Sequence, residues 1–360
     1  MVFTVAGCAL QSRDSEFSES AQYQSGKFRN QIQQAPKGAS SFFKAATRYL
    51  LAKRVNTEPS APIPLIRQSR QSLEQANSSD AAIYRLGHST LLLFLEQKYW
   101  LIDPVFSERA SPLSWVGPKR FHPVPIELND LPDIAGVIIS HDHYDHLDKQ
   151  TIKQLKDKVP QFIVPLGVGN HLQEWGVESN QIKELDWWQH HTQGDVKFTA
   201  TPAQHFSGRS LSDNNQTLWA SWVIQSKDQS IFFSGDSGYF EGFKEIGRRF
   251  GPFDLTIMEN GAYDASWSDV HMTPEETLQA HIDLKGEALM PVHNGTFDLA
   301  LHPWYEPFER LSALADQQSL SLLTPIMGER LSIDKARSTK TQAWWKTTLA
   351  MHNLEPLQNR

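Results

Sequence analysis

Residues 140–148 read Ser-His-Asp-His-Tyr-Asp-His-Leu-Asp, directly after the apolar run Ala-Gly-Val-Ile-Ile at 135–139. The apolar run is typical of a buried strand, so the histidines fall on the loop at its carboxyl end, where a rigid scaffold can hold exposed ligands. His141 and His143 can direct two imidazoles at one ion, and Asp145 and His146 offer a carboxylate and an imidazole to a second. A solvated charge run does not need this density of donors, so the segment predicts a metal site.

The same placement recurs three times downstream, with one donor just beyond an apolar run in each case. The runs lie at 196–203, 230–235 and 287–292, and the donors that follow them are His205, Asp236 and His293. Together with the first segment these residues supply enough nitrogen and oxygen for two ions joined by one bridging carboxylate. Zinc suits imidazole combined with carboxylate, and an incomplete shell leaves room for water.

Composition narrows the class of protein. The chain has 360 residues, 34 Lys and Arg against 41 Asp and Glu, a net charge of −7 and 39% hydrophobic residues. No apolar run approaches the roughly 18 residues of a membrane-spanning helix, and the chain is not of disordered composition. The acidic balance argues against a nucleic-acid partner. Fourteen histidines favour metal or proton chemistry, whereas the single cysteine excludes an internal disulfide and a cysteine-rich zinc site.

The periodicity predicts an α/β sandwich. Helical stretches are expected at about Asp148 to Lys158 and after Thr273, which can cap a helix with Pro274 in the first turn and Glu276 at the third position. Ten short apolar runs predict strands, at 82–87, 89–97, 98–103, 135–140, 161–166, 196–203, 217–226, 230–235, 254–259 and 287–292.

The amino-terminal region differs in composition from the rest. Residues 9–37 are polar, rich in Ser and Gln, and patterned for neither helix nor strand, as in a tether or a surface-hugging arm. Ser41 to Arg54 predicts a short amphipathic helix that packs on the main domain or, alternatively, on a membrane. Its apolar stripe consists of Phe42, Phe43, Ala46, Tyr49 and Leu50. We therefore expect a tether at 1–37, this helix and a linker at 38–81, a main domain at 82–335 and a helical tail at 336–360.

The lone cysteine lies in Val5-Ala6-Gly7-Cys8, which resembles a bacterial lipobox. The preceding segment lacks Lys and Arg and is barely long enough for a signal peptide. Either the segment is a truncated lipoprotein signal or the match is a coincidence. The first reading implies a membrane-anchored lipoprotein that faces the periplasm, and the second a cytoplasmic protein.

The segment HDHYDHLD resembles the H-x-H-x-D-H signature of the metallo-β-lactamase superfamily, and the surrounding sequence resembles its N-acyl-phosphatidylethanolamine phospholipase D-like hydrolases. The similarity runs from about Tyr84 to Trp304 and implies a four-layer αββα sandwich. Besides the signature, it is carried by LGHST (86–90), DPVFSERASPLSWVGPKRFHP (103–123), PAQHFSGRSLSDNNQTLWASWVI (202–224), SGDSGYF (234–240), HMTPEE (271–276) and PVHNGTFDLALHPW (291–304).

Matched by position, the resemblance implies two zinc ions. One is expected on His141, His143 and His205, the other on Asp145, His146 and His293, with Asp236 bridging. Such a pair acidifies a bridging water towards hydroxide and stabilises charge on a phosphoryl group. Asp145 and Asp236 are therefore expected to serve the reaction as well as the metal.

Further residues have expected roles around this pair. His271 matches a histidine near the substrate in these hydrolases, so it is either a phosphoryl-positioning donor or general acid, or a structural residue. Asp103 and Asp148 are read as carboxylates that orient ligand imidazoles. His88 either faces the metal cavity or is a hydrogen-bonded core residue. No direct chemical role is expected for His122, His171, His190, His191, His281, His302 and His352, and the pair His190-His191 is placed in a turn-like stretch at the rim of a cleft.

One position departs from the related hydrolases. They usually carry His-Trp-Gly-Thr after the last strand, whereas this chain carries His293-Asn294-Gly295-Thr296. The ligand is retained, but the pocket wall is expected to be smaller and more polar.

The expected activity is hydrolysis of a phosphodiester by a hydroxide between two zinc ions. The expected substrate is an N-acyl-phosphatidylethanolamine, with release of an N-acylethanolamine and phosphatidic acid. A metal-dependent lactonase or other ester hydrolase is the enzymatic alternative, and a non-catalytic zinc-binding envelope protein is a third. The expected partners are a phospholipid or small-molecule substrate and a membrane surface, and the resemblance permits a homodimer.

Overall fold

The computed structural model describes residues 17–32, 47, 51–76, 80–210 and 212–354. Cys8 and most of the predicted helix from Ser41 to Arg54 lie outside these ranges. The described chain contains two seven-stranded sheets that pack face to face. Helices cover both outer faces. This arrangement is the predicted αββα sandwich, in which each sheet buries one face against the other sheet and one against helices.

The strands follow the apolar runs closely, and each of the ten predicted runs contains a strand. The strands are β1 (Tyr23–Gln24), β2 (Lys27–Phe28), β3 (Ala82–Gly87), β4 (Thr90–Leu95), β5 (Lys98–Ile102), β6 (Ile134–Ile138), β7 (Phe162–Pro165), β8 (Ile182–Leu185), β9 (His190–Gln193), β10 (Val196–Thr201), β11 (Ser221–Gln225), β12 (Ser230–Phe233), β13 (Leu255–Glu259), β14 (Ala288–Val292), β15 (Ser321–Leu322) and β16 (Arg330–Ser332).

The first sheet has the order β16-β3-β4-β5-β6-β7-β8, and the second has the order β15-β14-β13-β12-β11-β10-β9. Large apolar side chains from both sheets meet between them, including Trp100, Phe198 and Trp222. Because β10, β12, β13 and β14 all run in one direction, their carboxyl ends lie along the same edge of the second sheet. That edge is where the predicted donors follow the strands.

The helices are α1 (Arg70–Gln75), α2 (Lys149–Leu155), α3 (Val168–Glu174), α4 (Gly242–Phe250), α5 (Pro274–Asp283), α6 (Glu306–Gln317) and α7 (Trp344–Leu354). The first three pack on the first sheet, through Leu73, Ile152 and Leu172. The next three pack on the second sheet, through Phe243, Leu278 and Leu311. Helix α7 packs Trp344 and Trp345 against Phe308 of α6. In the described part of the chain, no helix combines the length and apolarity needed to cross a bilayer.

Two helix predictions are confirmed in detail. Helix α5 begins after Thr273, whose hydroxyl accepts a hydrogen bond from Glu276 N while the Glu276 side chain bonds back to the cap. Helix α2 is slightly shorter than the predicted stretch, and Asp148 caps it by accepting from Gln150 N.

The placement of His190 and His191 in a turn is wrong. The turn lies at the preceding residues, where Trp188 has a φ of 72°, and both histidines belong to edge strand β9. They pair with Thr199 and Phe198 of β10. Trp187 is also not at a cleft rim, because its ring is buried between the sheets and its Nε1 donates to Trp219 O at 2.7 Å.

The amino-terminal arm contains structure that its polar composition did not predict. Strands β1 and β2 form a short hairpin. Phe17 and Phe28 from this arm are buried in the cluster between the two sheets, and Phe28 N donates to Asn215 O at 2.8 Å. Two buried aromatic residues in an otherwise polar stretch, together with this hydrogen bond, attach the arm to the main domain.

Candidate metal centre

The predicted donors converge at one edge of the sandwich. His141 to His146 follow β6, His205 follows β10, Asp236 follows β12, and His293 follows β14. All of these side chains are buried except those of His143 and Asp145, which are partly exposed. Three groups of donor atoms result among the described residues, in each of which the atoms lie within 4.8 Å of one another. The third consists of Asp236, His271 and His293, and it shares its members with the first two groups except for His271.

The first group contains His141, His143, His205 and Asp236. His143 Nδ1 lies 2.9 Å from His141 Nε2 and 3.2 Å from His205 Nε2. Asp236 Oδ2 lies 3.7 Å from Nε2 of both His141 and His205. A tetrahedral zinc shell with Zn–N of about 2.0–2.1 Å separates neighbouring nitrogens by about 3.3 Å, so these residues fit the ion.

The second group contains Asp145, His146, His293 and also His88. Asp145 Oδ2 lies 3.2 Å from His293 Nε2 and 3.6 Å from His146 Nε2. A carboxylate and two imidazoles at these distances match the nitrogen and oxygen chemistry that zinc accepts. The second group therefore also fits an ion.

Asp236 belongs to the first group and also faces two imidazoles of the second. Its Oδ1 lies 3.1 Å from His146 Nε2 and its Oδ2 lies 3.0 Å from His293 Nε2. Both Asp236 Oδ1 and His146 Nε2 are buried without a partner in hydrogen-bond geometry, which leaves them available to a third atom. A buried carboxylate that faces both groups is the arrangement expected of a bridging ligand.

Electrostatics favour the protonation states that metal binding requires at part of the donor set. At His146 and His293 the nearby carboxylates, Asp236 foremost, outweigh burial and raise the pKa, to about 10 for His293, so an ion must displace a proton there. Burial lowers the pKa of His141 and of His205 well below the ordinary value, which keeps both imidazoles neutral. Burial opposes ionisation of Asp145 and Asp236, but nearby histidines, His146 foremost, outweigh it and hold both pKa values well below the usual range. Ionised carboxylates and neutral imidazoles are competent ligands.

Asp103 bonds one of the predicted ligands from the buried side of the centre. It follows β5, has a φ of 41° and is fully buried. Its Oδ2 lies 2.7 Å from His146 Nδ1, and its two oxygens accept from Ser140 N and Ser140 Oγ at 2.7 and 2.6 Å. Burial raises the pKa of Asp103, against the opposing effect of His146. The carboxylate thereby fixes the orientation of an imidazole in the second group.

The same prediction is wrong for Asp148. Its carboxylate accepts from Ser107 N at 2.9 Å and Thr151 Oγ1 at 2.5 Å besides capping α2. Among the described residues no imidazole bonds it, because its oxygens are engaged by Ser107, Gln150 and Thr151 around the start of α2. Asp148 fixes where the helix begins rather than how a ligand is oriented.

His88 faces the metal cavity. Its Nε2 lies 2.9 Å from Asp145 Oδ2, and its ring centroid lies 4.1 Å from that of His293. Burial, with the neighbouring His293, lowers the pKa of His88 to about 3. A neutral His88 donates this hydrogen bond, so the structure favours the cavity reading over that of an ordinary core residue.

His271 lies at the mouth of the centre, with its ring centroid 5.2 Å from those of His205 and His293. Its Nδ1 lies 2.5 Å from Oε1 of Glu259, a fully buried residue at the end of β13. Glu259 Oε2 accepts from Ser237 N at 2.6 Å. Burial raises the pKa of Glu259, against the effect of His271. Glu259 was not among the predicted site residues, although it is the polar last residue of an apolar strand.

Asn30 of the amino-terminal arm holds the backbone of one predicted ligand. Its Oδ1 accepts from His205 N at 3.1 Å and its Nδ2 donates to His205 O at 2.8 Å. This contact joins residues 175 positions apart, and no local sequence signal marks it. The arm therefore contributes to the geometry of the first group.

Asn294 does more than make the pocket wall smaller and more polar, as was expected. Its side chain is buried; its Oδ1 accepts from Arg85 Nη2 at 2.5 Å and its Nδ2 donates to Asn260 O at 2.9 Å. Arg85 is itself fully buried, which lowers its pKa to about 9. The polar side chain is thus bonded to one nitrogen of a buried guanidinium, whose Nε and Nη1 are buried without a hydrogen-bond partner in the described part of the chain.

The remaining histidines with described side chains lie outside the two ligand groups. Among them, His122 contacts Thr296 Oγ1 at 3.0 Å and His281 contacts Thr256 Oγ1 at 2.6 Å, both in buried surroundings. His171 faces Asp142 at 3.4 Å, and His302 contacts Gly261 O. The side chain of His352 is outside the described set.

Known proteins resemble this chain in sequence and in structure. The sequence profile described as "Beta-lactamase superfamily domain" matches residues 99–294. An uncharacterized protein of Mycobacterium tuberculosis is 44% identical over 302 residues, which cover 82% of this chain and 79% of the relative. The N-acyl-phosphatidylethanolamine-hydrolyzing phospholipase D 1 of Caenorhabditis elegans is 36% identical over 261 residues, which cover 68% of this chain and 73% of the relative.

Among solved structures, the isothiocyanate hydrolase from Delia radicum gut bacteria matches with a TM-score of 0.56 at 19% identity. The match covers 70% of this chain and 98% of that protein. At this level of identity the likeness concerns the fold.

Proposed function

The chain belongs to the metallo-β-lactamase superfamily, among its N-acyl-phosphatidylethanolamine phospholipase D-like members, and is a metal-dependent hydrolase; from this premise we propose that it is a dinuclear zinc phosphodiesterase. The proposed substrate is an N-acyl-phosphatidylethanolamine. Water cleaves the phosphodiester on the ethanolamine side, which yields an N-acylethanolamine and phosphatidic acid. The relative in Caenorhabditis elegans is named for hydrolysis of this lipid class.

One observation carries the proposal: two buried donor groups share Asp236, whose oxygens face His146 and His293 at 3.1 and 3.0 Å and His141 at 3.7 Å. A structural zinc site is closed and has four protein ligands around one ion. A shared carboxylate instead suits a pair of ions with positions left for water and substrate. This feature supports an enzyme over a non-catalytic zinc-binding protein.

The first ion would be held by His141, His143 and His205, and the second by Asp145, His146 and His293, with Asp236 between them. When bound, two such ions supply an acidified water and positive charge for a phosphoryl group. The chain's own residues orient these ligands. Asp103 fixes the ring of His146, and His88 donates to Asp145.

His271 is the proposed proton donor or phosphoryl-positioning group. Its Nδ1 is engaged by Glu259, so its Nε2 is the atom left to face a substrate. A hydrogen bond from Nε2 to a phosphoryl or leaving oxygen would strengthen as negative charge develops there. Glu259 acts through His271 and is therefore a positioning residue.

Incubation with N-acyl-phosphatidylethanolamine, a generic phosphodiester and a panel of lactones, with and without chelator, tests the proposal. Chelator-sensitive release of N-acylethanolamine supports it. Turnover confined to lactones or other carboxylic esters contradicts it and favours the alternative activity.

The proposed substrate would bring the protein to a membrane surface. If Cys8 is lipidated, we propose a lipoprotein that faces the periplasm; otherwise, we propose a cytoplasmic enzyme at the inner surface. Mass spectrometry of the native amino terminus separates the two cases, because an unmodified Met1 excludes lipidation at Cys8.

A further inference from the structure

Residues 105–121 form a segment that begins and ends close to the metal centre and that we call the excursion. The excursion begins two residues after Asp103, which bonds His146. It ends where Phe121 N donates to Thr296 O at 2.8 Å, three residues beyond His293. Both ends of the excursion are therefore attached to elements that hold predicted ligands.

The middle of the excursion is a narrow hairpin. Arg120 N donates to Glu108 O at 2.9 Å and Ala110 N donates to Pro118 O at 3.1 Å. Arg109 and Lys119 pair in antiparallel fashion between these two bonds. Gly117 closes the tip with a φ of 95°, in a position where a Cβ would lie 2.6 Å from Ser111 Cβ. We call residues 111–117 the hairpin tip.

The hairpin tip presents large apolar side chains to water. Trp115 is 74% exposed, and Leu113 and Val116 are each 45% exposed. A cluster of exposed apolar side chains on a rigid hairpin marks an interaction surface. Tryptophan in particular favours the boundary between lipid headgroups and acyl chains.

The charge around the tip complements a lipid surface. Residues 105–126 contain Arg109, Lys119 and Arg120 and one acidic residue, Glu108, in a chain whose net charge is −7. Lys119 also pairs with Glu108 at 2.8 Å and remains 58% exposed, whereas Arg120 is buried. Arg109 is half-buried and donates to Gly117 O, so Lys119 is the exposed cation of the hairpin. Apolar tip residues beside a cation form a combination that binds phospholipid surfaces.

A cavity of about 440 Å³ lies between the hairpin tip and the loop that carries the predicted ligands. Ser111 and Ser114 line one side. Tyr144, the residue between His143 and Asp145, also lines the cavity. The charged lining is mixed and consists of Arg109, Lys149, Arg209, Glu108, Asp148, Glu174 and Asp213. A binding surface that contacts the hairpin tip would therefore also lie close to the loop that carries His141 to His146.

We propose that the hairpin tip docks the protein on a phospholipid bilayer, with Leu113, Trp115 and Val116 in the interfacial layer and Arg109 and Lys119 near lipid phosphates. The inference rests on the proposed function, in which the substrate is drawn from a bilayer. Docking at the tip brings the metal centre to the headgroups because the hairpin is anchored there at both ends.

Vesicle flotation of the full chain tests this surface, with vesicles of phosphatidylethanolamine and phosphatidylglycerol that contain no N-acylated lipid. Each large apolar side chain withdrawn from water contributes about tenfold to partitioning. The double variant Leu113→Ser/Trp115→Ser should therefore lower the partition coefficient by about a hundredfold. Ile282→Ser is the matched control, because Ile282 is 41% exposed on α5, in a different layer, and its loss should leave binding unchanged.

Turnover of a water-soluble phosphodiester, measured on the same variants, separates this inference from the proposed function. The double variant should keep soluble turnover and lose turnover of vesicle-borne N-acyl-phosphatidylethanolamine. Vesicle binding by the double variant equal to that of the parent overturns the docking surface, and so does a parent protein that does not bind vesicles. The oligomeric state of both proteins tests one alternative. If the parent is a dimer and the double variant a monomer, the tip binds a second copy of the chain, and this result also overturns the proposed membrane docking. A protein that floats through the tip but cleaves no phosphodiester would contradict the proposed function alone.

Discussion

His146 Nδ1 lies 2.7 Å from Asp103 Oδ2, and both side chains are fully buried beneath the metal centre. The contact leaves His146 Nε2 directed at Asp236. Burial opposes protonation of His146, but Asp236, Asp145 and Asp103 together raise its pKa well above the ordinary value. An ion can take the place of this proton, so the contact that orients the ring also favours cation binding.

Replacing Asp103 by asparagine should weaken metal binding. Asparagine removes the charge and can present its amide group to His146 Nδ1, so the ring loses the acceptor that orients it. Loss of such an outer contact lowers affinity by about 10- to 100-fold. Competition with a chromophoric chelator measures the change.

Asp148→Asn is the control for this variant, since Asp148 is a nearby carboxylate that bonds Ser107 N and Thr151 Oγ1 instead of an imidazole. Its metal affinity should match that of the parent. Equal affinity in Asp103→Asn and the parent would show that the carboxylate does not support the site.

Metal content should depend on the shared carboxylate and on each donor group. We expect about two ions per chain in the parent protein and fewer in His143→Ala and Asp236→Asn, with the greater loss in Asp236→Asn because it serves both groups. Elemental analysis of dialysed protein provides the count. His190→Ala, on exposed edge strand β9, should retain the parent content. Full occupancy of both ions in Asp236→Asn would contradict its bridging position.

The sequence predicted the two donor groups because their residues share a simple rule: each follows an apolar run that becomes a strand. His205, Asp236 and His293 come together because β10, β12 and β14 run in the same direction. The position of each donor after an apolar run and the resemblance of HDHYDHLD to a known signature thus led to the same seven residues.

Other contacts could not be predicted in this way, because they depend on packing between distant segments. Asn30 reaches His205 only after Phe17 and Phe28 have bound the arm to the core. Asp148 resembled an orienting carboxylate by proximity in sequence, yet the start of α2 directs its oxygens elsewhere. Glu259 is the last residue of its strand rather than a residue beyond it, and it was not among the predicted site residues.

His271→Asn should slow the reaction without removing the metal. A positioned proton donor contributes about 100-fold or more to kcat. The expected result is therefore a large fall in kcat, a small change in KM and parent-like metal content. Glu259→Gln should lower kcat less and alter the pH profile, because it changes how the His271 ring is held. If kcat of His271→Asn stays within about twofold of the parent value, His271 does not act in the reaction and has a structural role.

Stability should fall with acid through His281. Its side chain is buried beside Thr256, and burial lowers its pKa to about 4. In the unfolded chain an imidazole titrates near 6.5, so below that pH the unfolded state binds more protons at this residue. The contribution of His281 to the free energy of unfolding is therefore complete above about pH 6.5 and decreases as the pH falls towards 4. Between pH 7 and pH 5 this decrease is about 2 kcal/mol.

Urea unfolding at pH 7 and pH 5 measures this contribution. His281→Asn, which has no titrating group, should lose about 2 kcal/mol less than the parent over this interval. His190→Asn, at an exposed position, should lose as much as the parent. An identical pH dependence in His281→Asn and the parent would show that this imidazole is not held neutral.

The most direct test of the central claim is mass-spectrometric analysis of the products formed from N-acyl-phosphatidylethanolamine in ¹⁸O-labelled water. Phosphodiester cleavage by water should give N-acylethanolamine and phosphatidic acid in equal amounts, with one ¹⁸O in the phosphate. Formation should stop with chelator and resume when zinc is restored. Release of free fatty acid without N-acylethanolamine, or product formation unaffected by chelator, would contradict the claim that this chain is a zinc-dependent phosphodiesterase.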